Sequence, residues 1–213
     1  MLIAVERVDR GGADAPDCGM ELYFMRHGET AWSLTGQHTG STDLPLTPHG
    51  EAEARALGAL LHGVKFDHLL TSPRERARRT AELSGHPGAV IEPDLAEWNY
   101  GDYDGQTMAE IKVQRPDWDI YLDGCPGGES PEQISTRADR LIARLSSLNG
   151  CVAAFSHGHF GRVMAVRWIG LPITMAKHFG INTASYAVLD RDPGRDRHAR
   201  IVHWNVTAAR PSG

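Results

Sequence analysis

Two histidines stand where apolar segments of the chain end. Arg26-His27-Gly28 follows the apolar run 22–25, and Ser156-His157-Gly158 follows the apolar run 151–155. A neutral imidazole can act as a nucleophile near pH 7, and a guanidinium group binds the oxygens of anions such as phosphate. These residue types therefore predict an anion site that contains a histidine nucleophile.

A third strand end adds arginine to this pattern. Thr71-Ser72-Pro73 follows a short apolar run, and Arg76 lies one helical turn further on. In open α/β sheets, reactive side chains collect in the crevice at the carboxyl ends of parallel strands. If the three strands are parallel, two histidines and several arginines meet at one edge of the sheet.

The elements that must position these side chains alternate between strand and helix from residue 20 onward. Further strands are predicted over 66–70, 89–91, 184–189 and 200–206, the last two joined by an Asp-Pro-Gly turn. Helices are predicted to start near Pro48, Pro73, Pro131 and Phe160, with one or two short helices over 108–121 and a polar loop over 31–46. We therefore predict a single three-layer α/β domain over residues 20–213, with a mostly parallel central sheet and helices on both faces. Residues 1–19 lack apolar periodicity and are predicted to form a disordered N-terminal extension.

Glu97 lies in an irregular segment, residues 94–105, that is rich in Trp, Tyr, Asn and Gly. Loops of this length inside a compact domain are commonly functional. A carboxyl in that setting is a candidate acid or base, although a solvated loop carboxylate is the simpler interpretation.

Composition narrows the class of protein. The 213 residues carry a formal net charge of -5 and no basic tract, so nucleic acid is not an expected partner. No run approaches the ~20 apolar residues of a membrane span, and no apolar segment has the length of a signal peptide core. Three cysteines form neither a zinc pattern nor a disulfide framework, so we expect a cytoplasmic protein with no membrane partner.

Together the motifs resemble the histidine phosphatase superfamily, which has the phosphoglycerate mutase-like fold. The resemblance covers about residues 20–206 and keeps the motifs in order: Arg26-His27-Gly28-Glu29-Thr30, Ser72-Pro73 with Arg76-Ala77 and Thr80-Ala81, Glu97 before Gly101 and Gly105, and Ser156-His157-Gly158. Within the superfamily, the segments 32–33, 36–40, 43–47 and 97–105 are most similar to the sedoheptulose-bisphosphatase-like and mycobacterial acid phosphatase branch.

The resemblance implies a catalytic role for five residues. His27 would attack phosphorus and form a phosphohistidine. Arg26, Arg76 and a protonatable His157 would surround the phosphoryl oxygens, which supplies the charge that a metal ion would otherwise bring. Glu97 would protonate the leaving alkoxide and then activate water. No metal and no cofactor are expected.

The same resemblance implies further contacts to the substrate from Thr30, Ser33, His38, Thr39, Gly40, Tyr100 and Arg162. Many members carry Asn where this chain has Ser33, and the shorter hydroxyl reaches less far. Arg162 is equally consistent with a plain surface cation. His159 is consistent either with a residue that supports the site residues from behind or with a simply exposed side chain. We interpret three further arginines as solvated charges on a helix face: Arg74, Arg78 and Arg79.

The leading functional hypothesis is a metal-independent phosphomonoesterase of acid phosphatase type, acting on small phosphorylated metabolites such as sugar phosphates. The alternative within the family is a cofactor-dependent phosphoglycerate mutase, which the resemblance associates with a longer basic segment after the glutamate loop. Between Gly105 and Gly128 this chain has only Lys112 and Arg115 as basic residues, which favours hydrolysis. A non-catalytic phosphate-binding regulatory domain is less favoured, because all five catalytic candidates are present. The apolar segment 168–172 is compatible with a homodimer interface.

Overall fold

The computed structural model of the protein describes residues 20–191 and 198–208. The predicted N-terminal extension and the Asp-Pro-Gly turn lie outside these residues. Six strands form one sheet in the order β3-β2-β4-β1-β5-β6: β1 (Glu21–Arg26), β2 (His68–Thr71), β3 (Val90–Ile91), β4 (Cys151–Ser156), β5 (Tyr186–Arg191) and β6 (Ala199–Val206). Strands β1 to β4 run parallel, whereas β5 is antiparallel to β1 and β6 is antiparallel to β5. The prediction of a mostly parallel sheet is therefore confirmed.

Seven α-helices are described: α1 (Ala31–Thr35), α2 (Pro48–Leu60), α3 (Glu75–Leu83), α4 (Met108–Gln114), α5 (Ile120–Asp123), α6 (Pro131–Leu145) and α7 (Gly158–Trp168). Short 3₁₀ helices occur at Pro93–Leu95, Gly101–Tyr103 and Ile173–His178. Among the described residues, no helix combines the length and apolar character needed to cross a membrane.

Helix α6 shows how local sequence sets these elements. The Ser130 hydroxyl accepts the Gln133 N–H, the Gln133 side chain accepts the Ser130 N–H, and Pro131 occupies the first turn. Apolar residues spaced three and four apart then bury one stripe of the helix: Ile134, Ala138, Leu141, Ile142 and Leu145. The predicted start and buried face of this helix are confirmed.

The prediction of a loop throughout 31–46 is wrong for its first five residues, which form α1. Thr30 and Ser33 make a reciprocal cap at its start, and Gly36 ends it in the left-handed region at φ 80°. This capping pattern is difficult to recognise in the sequence, because Ser33 occupies the third helical position, where Glu or Gln is usual.

The sheet separates two apolar layers. Leu22 and Phe24 of β1 face the layer that contains the buried stripes of α6 and α7. Met25, on the opposite face, packs in the layer that contains Leu57 of α2 and Ala81 of α3. Because successive side chains of a strand alternate between faces, helices cover both sides of the sheet as predicted.

The strand register brings the three polar motifs to one edge. Arg26 pairs with Ser156, and Thr71 pairs with Phe155, so His27, Ser72 and His157 all leave the sheet at the same level. Gly28 then passes the start of α2 so closely that a Cβ would clash with the Gly50 carbonyl oxygen. Only glycine allows this approach.

Candidate active site

His27 is buried, with 5% of its surface exposed, and its Nδ1 lies 2.7 Å from the Gly28 carbonyl oxygen. A carbonyl oxygen only accepts hydrogen bonds, so Nδ1 carries the proton and donates, which leaves the lone pair on Nε2. Burial, together with the charges of Arg76 and Arg26, holds the pKa of His27 well below its ordinary value. The ring is therefore neutral near pH 7 and presents a nucleophilic nitrogen.

Arg76 enters the site from the first turn of α3 and is fully buried. Its Nη2 donates to the carbonyl oxygens of Thr39 (2.9 Å) and Gly40 (3.2 Å), and its Nη1 donates to that of Thr42 (3.0 Å). Its Nε donates to His157 Nδ1 at 3.2 Å. The guanidinium thus joins the loop after α1 to the end of β4.

His157 is fully buried, and its ring centroid lies 5.2 Å from that of His27. Since Nδ1 accepts from Arg76, the ring proton is on Nε2, which donates to the Ser72 hydroxyl at 2.7 Å. Burial and the Arg76 charge hold the pKa of His157 well below its ordinary value. Both ring nitrogens are thus engaged, and the lowered pKa favours the neutral ring over the protonated ring that we expected to supply charge.

Arg26 lies half-buried directly before His27. Its Nη1 donates to the Ile181 carbonyl oxygen at 2.6 Å, whereas its Nε is buried and has no hydrogen-bond partner among the described residues. A buried donor without a partner costs free energy that a bound anion would recover. Burial also lowers the pKa of Arg26, an effect that the nearby Glu97 opposes.

Glu97 is 8% exposed and is held by three backbone N–H groups. Its Oε1 accepts from Trp98 and Phe160, both at 2.8 Å, and its Oε2 accepts from His159 at 3.0 Å. His159 and Phe160 belong to the first turn of α7, where free N–H groups and the helix dipole favour a negative charge. The carboxylate is therefore fixed at the helix start that follows His157, rather than solvated in a loop.

Thr30 and Ser33 lie close to His27 in the chain, but their hydroxyls cap α1. The Thr30 hydroxyl accepts the Ser33 N–H at 3.2 Å. The Ser33 hydroxyl accepts the Thr30 N–H at 2.8 Å and donates to the Thr30 carbonyl oxygen at 3.0 Å. The single O–H donor of Ser33 is thus used within the cap, so its predicted hydrogen bond to the substrate would require that cap to open.

Thr39 and Gly40 reach the site through their backbone. Their carbonyl oxygens accept from Arg76, and the Gly40 N–H donates to Asp104 at 2.8 Å. A Cβ at Gly40 would press on the Trp98 carbonyl oxygen at 2.8 Å, which explains the glycine.

His38, Tyr100 and His159 form a cluster of rings beside Glu97. The His38 ring stacks on that of His159 with centroids 5.7 Å apart, and meets Tyr100 edge-on at 4.7 Å. The Tyr100 hydroxyl lies 2.7 Å from His159 Nδ1. His38 Nδ1 donates to the Gln106 carbonyl oxygen at 2.8 Å, so its Nε2 is free to accept a hydrogen bond. His38 and Tyr100 were predicted as substrate contacts. Of the two interpretations of His159, the supporting position fits these contacts and the simply exposed one does not.

Two arginines are half-buried and are not the solvated surface cations that the sequence suggested. Arg162 on α7 is half-buried, its Nε has no partner among the described residues, and its charge contributes to lowering the pKa of His159 after burial. Arg74 precedes α3 and also has a buried Nε without a partner in the described part of the chain. The interpretation of Arg74 as a helix-face charge is therefore wrong, because that residue lies before the helix.

Arg78 is exposed, and Arg79 is 42% exposed and pairs with Glu51, as expected of surface cations.

Thr80 is part of a motif named in the sequence analysis, but no role in the site was predicted for it. Its hydroxyl accepts the Gly28 N–H at 3.0 Å and donates to the Arg76 carbonyl oxygen at 2.7 Å. Thr80 lies one turn after Arg76 on α3, and this spacing in the sequence already indicates that the two side chains lie on the same face of the helix.

Across residues 20–191 and 198–208, no group of three or more His, Cys, Asp or Glu side chains is arranged to hold a metal ion.

Comparison with known proteins identifies the family. The histidine phosphatase superfamily (branch 1) matches residues 22–207. The chain therefore belongs to this superfamily, has its phosphoglycerate mutase-like fold and is a phosphoric monoester hydrolase.

Individual relatives agree with this assignment. The chain is 40% identical to the acid phosphatase of Mycobacterium tuberculosis over 179 residues, which span 81% of this chain and 87% of the relative. It is 38% identical to the sedoheptulose 1,7-bisphosphatase of Saccharomyces cerevisiae over 192 residues, which span 74% of this chain and 70% of the relative. The solved structure of a Mycobacterium tuberculosis open reading frame superposes with a TM-score of 0.84 at 37% identity, covering 89% of this chain and 99% of the other.

Proposed function

We propose that the protein is a metal-independent phosphomonoesterase that hydrolyses small phosphorylated metabolites, such as sugar phosphates, through a phosphohistidine on His27. The observation that carries the proposal is the 2.7 Å contact between His27 Nδ1 and the Gly28 carbonyl oxygen, which places the ring proton on Nδ1 and the lone pair on Nε2. This nitrogen is held beside Arg26 and Arg76, whose charges suit a phosphoryl group.

In the first step, Nε2 of His27 attacks phosphorus and the bond from phosphorus to the substrate oxygen breaks. Glu97 enters this step with the proton that it accepted from water in the second step of the preceding turnover. It transfers this proton to the substrate oxygen, so an alcohol leaves and Glu97 becomes a carboxylate. The Nε of Arg26, which has no hydrogen-bond partner among the described residues, and the charge of Arg76 stabilise the phosphoryl oxygens as negative charge redistributes over them.

In the second step, water attacks the phosphohistidine and the carboxylate of Glu97 accepts its proton. The bond between phosphorus and nitrogen breaks, phosphate leaves, and the lone pair returns to Nε2. The three N–H groups that hold Glu97 suit the carboxylate that this step begins with. Dividing the reaction in this way replaces one difficult displacement with two easier ones.

The substrate class is supported by the surroundings of the phosphoryl site and by the relatives. Arg162 and Arg74 provide half-buried cations, and His38 offers a free ring acceptor, all of which suit a polar, anionic small molecule. The yeast relative is named for a sugar bisphosphate.

Hydrolysis of p-nitrophenyl phosphate in the presence of EDTA tests the proposal. We expect the wild type to remain active with EDTA. In His27→Ala, kcat should fall at least about 10³-fold, and no phosphoryl group should become covalently attached to the protein. His62→Ala, at an exposed histidine, is the matched control and should behave as wild type. Full activity of His27→Ala would refute the assigned nucleophile, and complete loss with EDTA would refute metal independence.

A panel of sugar phosphates, phosphoglycerates and nucleotides then tests the substrate class. Release of inorganic phosphate from sugar phosphates is the expected result. Isomerisation of phosphoglycerate without net phosphate release would instead identify a mutase.

A further inference from the structure

A fully engaged guanidinium lies behind the segment that carries Glu97. Arg137 of α6 has a side chain that is 12% exposed, and its Nε and Nη2 donate to the two carboxylate oxygens of Glu129, both at 2.8 Å. Its Nη1 donates to the carbonyl oxygens of Asp94 (2.8 Å) and Ala96 (2.7 Å), and its Nη2 also donates to that of Glu97 (3.2 Å). The five N–H groups of this arginine therefore all have acceptors.

Glu129 binds the other side of the same segment. Its carboxylate accepts the Asn99 N–H at 2.9 Å, and its backbone N–H donates to the Asn99 carbonyl oxygen at 2.8 Å. Its carbonyl oxygen accepts from the Trp98 ring N–H at 3.0 Å. Arg137 and Glu129 thus hold the backbone from Asp94 to Asn99, with Glu97 in the middle.

The same arginine also contacts the residue that orients the Glu97 carboxylate. The Arg137 guanidinium lies over the Phe160 ring, 4.5 Å from its centroid. The Phe160 N–H donates to Glu97 Oε1 at 2.8 Å. One side chain therefore touches both the backbone of Glu97 and the helix turn that receives its carboxylate.

We propose that Arg137, together with Glu129, is a positioning pair that fixes Glu97 for proton transfer to the leaving group. A lysine has a single ammonium centre and cannot reach two carboxylate oxygens and three carbonyl oxygens in this planar arrangement. A misplacement of about 1 Å in a catalytic group can lower the rate by ~10². This inference rests on the proposed function, in which Glu97 is the proton donor.

The test compares kcat/KM for β-glycerophosphate and p-nitrophenyl phosphate in Arg137→Lys and Glu129→Gln. An alkoxide needs a proton as it leaves, whereas nitrophenolate scarcely does, so only the first substrate depends strongly on the placement of Glu97. We expect kcat/KM for β-glycerophosphate to fall by about 10- to 100-fold and that for p-nitrophenyl phosphate by less than about 3-fold. Arg140→Lys is the matched control, because Arg140 on the same helix binds only the Asp94 side-chain oxygens among the described residues.

Amide hydrogen exchange gives a second readout that needs no activity. The N–H groups of Trp98, His159 and Phe160 donate to the Glu97 carboxylate, so their exchange rates measure how firmly that carboxylate is held. We expect these rates to rise in both variants and to stay at the wild-type value in Arg140→Lys. Equal losses on the two substrates, or wild-type rates and unchanged exchange, would overturn the positioning role. A wild type that hydrolyses neither substrate would overturn the proposed function, while faster exchange in the variants would still support the structural half of the inference.

Discussion

Arg76 Nε donates to His157 Nδ1 at 3.2 Å, which links two buried side chains 81 positions apart in the chain. Because a guanidinium does not lose its proton in proteins, this contact fixes His157 as an acceptor at Nδ1 and as a donor at Nε2. One interaction thereby sets the tautomer of the ring that lies opposite His27.

In Arg76→Lys, the His157 ring should no longer be held in a single tautomer. We expect kcat/KM to fall by about 10² or more, because the lysine cannot replace both the contact to His157 and the carbonyl contacts to the loop after α1. Imidazole ¹⁵N shifts should change from a fixed acceptor at Nδ1 to a mixture of tautomers. Arg79→Lys, at a 42% exposed position on the same helix, provides the control. Unchanged ring shifts in Arg76→Lys would contradict the assignment.

Folding stability should fall as the pH decreases from about 6.5 towards 5. Burial is the main cause that holds the pKa values of His27, His157 and His159 well below the ordinary value of 6.5 in the folded protein. Below pH 6.5 the unfolded chain binds protons that the folded chain does not, so each such histidine removes about 1.4 kcal/mol of stability per pH unit until its folded pKa is reached. Urea unfolding at a series of pH values measures this slope.

The carboxylates do not account for that slope. The pKa values of Asp94 and Asp104 are lowered from 3.8 by hydrogen bonds to arginines and to the loop 40–42, respectively, against the opposing effect of burial. Their contribution is lost only as the pH falls below about 4. A stability that is flat between pH 5 and 6.5 would therefore show that the folded protein does not hold these three histidines as neutral rings.

Glu97→Gln should slow the hydrolysis of substrates with poor leaving groups more than that of p-nitrophenyl phosphate. The amide keeps the shape of the carboxyl but cannot transfer a proton to a departing alkoxide. We expect a loss of about 10²- to 10⁴-fold in kcat/KM for a sugar phosphate and a clearly smaller loss for the aryl ester. If both substrates lose the same factor, Glu97 is not the acid of the first step.

Asp104→Asn should weaken the loop that orients Arg76. The Asp104 carboxylate accepts from the N–H groups of Gly40 (2.8 Å) and Thr42 (3.0 Å) and from the hydroxyl of Ser41 (2.9 Å). Loss of part of this set should lower kcat/KM by about 5- to 20-fold, since hydrogen bonds to charged groups contribute roughly 1.5–3 kcal/mol each. Asp102→Asn, at an exposed neighbouring residue, should be close to wild type. Equal behaviour of the two variants would argue against this function of Asp104.

Gly28→Ala should destabilise the fold by about 1–3 kcal/mol or more, because the added methyl group clashes with the Gly50 carbonyl oxygen, which is backbone and cannot rotate away. Thermal unfolding measures the loss. Gly88→Ala is the control, because a Cβ there meets no atom within 4 Å. A similar Tm for wild type and Gly28→Ala would show that the strand end and α2 can separate.

Much of the architecture follows from local patterns. The Ser130-Pro131 start and the apolar spacing of α6 specify both its beginning and its buried face. The convergence of His27, Ser72 and His157 follows from strand direction alone, because parallel strands end at the same edge. The start and buried face of α6 depend on short-range chemistry that a sequence displays directly, whereas the convergence needs only the further assumption that the strands are parallel.

The setting of Glu97 could not be predicted in the same way. Its three N–H donors include two from α7, which are 62 and 63 positions away in the chain. The tautomer of His157 depends on an equally distant arginine. Such contacts depend on how the loops pack against the sheet in the folded protein. Neither the periodicity of apolar residues nor the residue types predict them.

Helix α7 begins directly after His157 and holds Glu97 through its first turn. A displacement of this helix as a unit would carry the His157 ring and the Glu97 carboxylate together. The distance between these two groups thus depends on a single helix start, whereas the distance of either group from His27 depends on the pairing of β1 with β4.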